Sequence, residues 1–116
     1  MDVQAFMERV DGDYSLAKEL IALFLEESAQ LKSQAKTAIA AKDSRALAAS
    51  AHAIQGSVSN FAAQRAVKAA AILQRIGREN DLANAGPALE NLNNELLLLA
   101  EEFSTLAEAL DDVSHR

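Results

Sequence analysis

Residues 86–112 read GPALENLNNELLLLAEEFSTLAEALDD. Leu89, Leu92, Leu96, Leu99, Phe103, Leu106 and Leu110 follow one another in steps of three and four, which makes one side of a helix apolar along the whole stretch. Gly86-Pro87 opens that helix where proline's missing N–H matters least. Acidic residues dominate the outer face, without the alternating Glu/Lys pairs of an intermolecular coiled coil. The stripe is therefore expected to pack inside its own chain.

Reading backward, Ala66, Ala69, Leu73 and Ile76 mark a helix that ends between Gly77 and Asp81. Before a break near Asn60 and Phe61, Leu47, Ala51, Ile54, Val58 and Phe61 form the stripe of another helix, with Asp43 placed to cap it. A long amphipathic helix precedes this, with Leu16, Leu20, Leu23, Leu31 and Ile39 as its expected core stripe and Phe24 and Ala35 beside them. Asp11-Gly12-Asp13 supplies a turn and a cap between it and a short first helix, roughly Val3 to Val10. Long helices joined by short connections lie antiparallel. The predicted architecture is all-α: an antiparallel up-down four-helix bundle with a short N-terminal capping helix.

Composition sets the same limits. The 116 residues suffice for one core, and aromatics reach only 4% against 50% hydrophobic residues overall, a bias toward alanine and leucine that suits close helix packing. We therefore read residues 1–116 as a single domain, with a disordered polar tail expected from about residue 112. The absence of cysteine removes disulfides, thiolate metal sites and a thiol nucleophile. No apolar run approaches the roughly 20 residues of a membrane span, and the acidic start MDVQAFMERVDGD is unlike a signal peptide. A soluble, cytoplasmic setting without direct membrane contact is expected.

The net charge of −6 argues against nucleic acid as a partner. It is unevenly spread: Lys42, Arg45, Arg65, Lys68, Arg75 and Arg78 face only Asp43 between residues 42 and 78, whereas residues 90–112 hold seven acidic residues and no basic one. The middle of the chain thus suits an acidic or phosphorylated partner.

Of the two histidines, His115 falls in the polar tail. His52 points roughly 140° away from the stripe of its helix, in mid-helix and toward solvent. Ala48, Ala49, Gly56 and Ser59 share that outer face, with Arg45 two turns back. A glycine inside a helix costs about 1 kcal/mol relative to alanine, so Gly56, one turn beyond His52, suggests close approach by something outside. A neutral imidazole can attack phosphorus without a general base. On geometry alone a solvated surface histidine beside a tolerated glycine is the better reading.

The stretch AHAIQGSVSNFAA at residues 51–63 resembles the signature of the histidine-containing phosphotransfer (HPt) family, an alanine-histidine pair followed by an apolar residue, a lysine, a glycine and a serine. Met7 to Asp13, Leu20 to Phe24, Ala40 to Asp43 and the helix end at Leu73 to Asp81 are similar to their counterparts in that family, so nearly the whole chain is covered. Three positions depart from it: Gln55 where lysine is usual, Ala62 where glycine is common, and Gln74 where glutamate is frequent.

The resemblance implies reversible phosphoryl exchange between His52 and the aspartate of a response-regulator receiver domain, as a step in a two-component phosphorelay. Gln55, Gly56, Ala49, Arg45, Ser59 and Lys68 are the expected phosphoryl neighbours and docking residues; Ser57, which faces partly sideways, is either a further polar neighbour or structural. Gln55 can donate a hydrogen bond but carries no charge, which removes a contact worth about 1–3 kcal/mol; Arg45, or Arg65 and Lys68 from the next helix, are the available substitutes. No glycine-rich nucleotide loop and no metal-ligand cluster is found, so no cofactor is expected on this chain, Mg²⁺ belonging to the receiver. Alone, it is expected to be a monomeric carrier without an ATP site, either free-standing or the C-terminal module of a hybrid sensor kinase held at a membrane. The competing reading is a non-catalytic helical adaptor, or a degenerate HPt domain that docks a receiver without transfer.

Overall fold

A computed structural model describes residues 1–114 of the chain, with side chains through residue 111. Five α-helices follow one another: α1 (Val3–Arg9), α2 (Tyr14–Ala40), α3 (Ser44–Ser59), α4 (Gln64–Arg78) and α5 (Ala85–Ser114), the last entered through a 3₁₀ turn at Leu82–Asn84. No strand occurs among the described residues. α2 to α5 form the antiparallel bundle, and α1 closes one end of it. Helix α5 continues to Ser114, so residues 112–114 of the expected disordered tail are helical, while their side chains and residues 115 and 116 lie outside the described residues.

Side-chain oxygens start three of the helices. Asp2, Asp13 and Asp43 each accept a bond of 3.0 Å from the backbone N–H three residues on, satisfying a donor that the first helical turn leaves unpaired. Four non-glycine residues at helix ends, Asp11, Lys42, Ala62 and Asn80, adopt positive φ between 52° and 56°. Lys42 and Ala62 are the costly ones, since they have neither glycine's freedom nor an Asn or Asp side chain able to bond locally.

The expected stripes of α3 and α5 are buried. Leu47, Ala51, Ile54, Val58 and Phe61 are at most 3% exposed, and Leu89, Leu92, Leu96, Leu99, Phe103 and Leu110 at most 8%. Leu106 is half-buried against them. The four phenylalanines Phe6, Phe24, Phe61 and Phe103 stack at one end with ring centroids 4.7 to 5.2 Å apart, joining α1, α2, α5 and the α3–α4 turn. Fully buried Phe6 is how a seven-residue helix anchors itself.

Helix α2 corrects the sequence expectation. Its buried line is Ala17, Ile21, Phe24, Ser28, Ala35 and Ala38, whereas Leu16 and Leu23 are 39% and 55% exposed and Leu20, Leu31 and Ile39 are only partly covered. Two apolar stripes run side by side on this helix. The one that contains Phe24 faces inward, where that ring packs against Phe61 and Phe103. The leucine stripe is left along the edge of the α2–α3 groove.

Candidate functional site

His52 stands in the middle of α3 with its ring exposed. Around it Ala49, Ala53, Gly56 and Ser59 are exposed and Ala48 is half-buried, so the ring rises from small residues as the helical spacing predicts. The side-chain amide nitrogen, Nε2, of Gln74 on α4 lies 3.1 Å from His52 Nδ1. The ring's own Nε2 has no partner among the described residues.

That contact depends on the close approach of α3 and α4. A Cβ added to Gly77 would lie 2.7 Å from the Ala48 nitrogen and 2.9 Å from the Ser44 carbonyl oxygen, so only glycine lets α4 lie this close. Gln74, three residues earlier on the same antiparallel helix, is thereby brought level with His52. Gly56 is the opposite case: a Cβ there would meet nothing within 4 Å, and no packing inside the chain requires glycine at that position.

The remaining expected site residues divide. Gln55 is half-buried on the α4 side of His52, and its amide has no partner among the described residues. The Ser59 hydroxyl donates to the Gly56 carbonyl at 2.8 Å, which engages it with its own helix. Half-buried Ser57 looks toward α2 and borders an open groove of about 310 Å³, whose walls include Leu16, Leu20 and Leu23 together with Asn60. Arg45 and Lys68 are exposed and outside any ion pair among the described residues. Arg65 is engaged with Glu95 of α5 at 2.8 Å, about 13 Å along α4 from Gln74, so it is not positioned to compensate for Gln55.

An exposed imidazole, held at one nitrogen on a helical bundle and set among small residues, can act as a nucleophile toward phosphorus. A family model for the Hpt domain matches residues 19–115. The chain belongs to the Hpt domain family. Comparisons with curated proteins and with solved structures find no match. Hpt domains serve phosphotransfer in two-component signalling and interact with receiver domains in phosphorelays. Among the described residues of this Hpt domain, no helix is long and apolar enough to cross a membrane.

Two features of the site escaped the sequence. Gln74 is noticeable there only as a departure from the family, because its contact with His52 joins residues 22 apart and arises from the register of two helices. The exposed leucine edge of α2 reads as core in any periodicity test, since its spacing is equally helical.

Proposed function

We propose that this Hpt domain carries a phosphoryl group on His52, taking it from and returning it to the aspartate of a receiver domain. The observation that carries the reading is the exposed His52 ring with Nδ1 held by Gln74 and Nε2 free. A glutamine amide can meet Nδ1 in two ways. In the placement seen here its N–H₂ faces the ring and donates to a bare Nδ1, which leaves the proton on Nε2; with the amide turned over, its oxygen accepts from Nδ1–H, which leaves the Nε2 lone pair available. The second arrangement is the one competent for attack.

In that arrangement Nε2 attacks the phosphorus of the aspartyl phosphate, and a P–N bond forms. The P–O bond to the aspartate breaks, and its electron pair stays on the carboxylate. Nδ1 keeps its proton, and the positive charge gained by the ring faces the Gln74 oxygen. Return of the phosphoryl group reverses each step. Such transfer depends on alignment and charge stabilisation, so the receiver's acidic pocket and Mg²⁺ can supply what this chain lacks.

Docking draws on three neighbouring features. Gly56 and the alanines leave room over His52, the leucine edge at Leu16, Leu20 and Leu23 offers apolar area, and Arg45 and Lys68 attract an acidic partner. Gln55 in place of lysine favours a second reading, docking without transfer. Mixing the purified chain with phosphorylated receiver domains and following loss of aspartyl phosphate separates the two. Loss with wild type, and none with a His52→Gln variant that still binds, is expected; a receiver that binds both and stays phosphorylated with both would establish docking alone.

A further inference from the structure

We propose that Arg78 binds the phosphoryl group on His52 and supplies the positive charge that Gln55 does not. The inference rests on His52 being the acceptor. Five other cations lie in the same part of the chain; Lys42 is in the turn before α3, and the structure separates the other four. Arg65 is engaged with Glu95. Lys68 and Arg75 sit about 100° or more around α4 from Gln74, on its outward face, whereas Arg78 is one turn beyond Gln74 and about 40° from it. Gly77 is pressed against the backbone of Ser44 and Ala48, so the next residue, Arg78, stands beside α3 one turn before His52.

Direction favours Arg78 over Arg45. Helical side chains lean toward the N-terminus of their helix. On α4 this carries Arg78 back toward Gln74 and the His52 ring; on α3 it carries Arg45 away from it. The ring of His52 leans toward the same level, over Ala48 and Ala49, whose small side chains leave the space between ring and guanidinium open. Arg78 is exposed and outside any ion pair among the described residues, so its fork of donors is free for phosphoryl oxygens.

Phosphoramidate tests this without a receiver. Nε2 forms the new bond to phosphorus, the P–N bond of the reagent breaks, and its electron pair leaves with ammonia. Labelling followed by ³¹P NMR should slow roughly tenfold in Arg78→Gln and change less than about twofold in Arg75→Gln, which alters only a screened distant charge. Adding Gln55→Lys to Arg78→Gln should restore most of the rate, with thermal unfolding unchanged throughout. Labelling of Arg78→Gln as fast as that of Arg75→Gln, or a loss that Gln55→Lys does not reverse, overturns the inference while leaving His52 as acceptor. A wild-type chain that takes no label overturns both.

Discussion

Replacing Gly77 with alanine should destabilise the domain, against the usual rule for a helical glycine. The new Cβ would sit 2.7 Å and 2.9 Å from the nitrogen and Cα of Ala48 and 2.9 Å from the Ser44 oxygen. All three atoms are backbone, so no rotamer change relieves them, and α3 and α4 must separate by roughly 1 Å to regain ordinary contact. Overpacking against backbone that cannot rotate away costs about 2–3 kcal/mol, the upper part of the usual range, and the gain in helix propensity returns about 1 kcal/mol. The net loss of about 1–2 kcal/mol corresponds to a Tm lower by roughly 4–8 °C for a chain of this size. Urea unfolding followed by circular dichroism should show a lower midpoint at unchanged slope. Separation should also loosen Gln74 from His52 and slow phosphoryl capture. Gly56→Ala makes the internal control: with nothing within 4 Å of the new Cβ, it should stabilise the chain by about 0.5–1 kcal/mol while impeding the receiver. A Gly77→Ala protein at least as stable as wild type would refute the close-packing argument.

Ala62→Gly relieves a positive φ of 52° and should raise stability by up to about 1 kcal/mol, the relief of strain exceeding the added unfolded-state entropy; a lower urea midpoint would count against it. Gln74→Glu replaces a group that can donate or accept with one that, ionised, only accepts, so it should hold the proton on Nδ1 and speed phosphorylation severalfold, whereas Gln74→Leu should slow it; equal rates in stopped phosphorylation assays would deny Gln74 a role. Leu23→Ser, at a residue 55% exposed, should leave unfolding within about 0.5 kcal/mol of wild type yet weaken receiver binding measured by calorimetry, and unchanged affinity would remove the leucine edge from the docking surface.

The features legible in the sequence were those set by local periodicity and caps. The steps from Leu89 to Leu110 and from Leu47 to Phe61 mark single apolar lines, and each line is buried with one half-covered exception, Leu106. Asp13 and Asp43 announced helix starts that the structure places at the next residue. The exposure of His52 followed from its angle to a correctly read stripe. Where two apolar lines lay adjacent, as on α2, spacing could not rank them, since the choice belongs to the packing of Phe24 against Phe61 and Phe103. The roles of Gly77 and Gln74 depend on how α4 sits across α3, information held in no window of the chain. Helix α4 also begins without a side-chain cap at Ala63, a start that cap chemistry could not have located.

The most direct measurement of the central proposal is an imidazole ¹H–¹⁵N spectrum of the chain before and after exposure to a phosphorylated receiver and Mg²⁺. With two histidines in the sequence, each ring is separately readable. The account predicts a phosphorus bonded to Nε2 of His52, a proton retained on Nδ1, and an unchanged His115. A label on His115, or a receiver that loses its phosphoryl group while both rings stay unmodified, would contradict it.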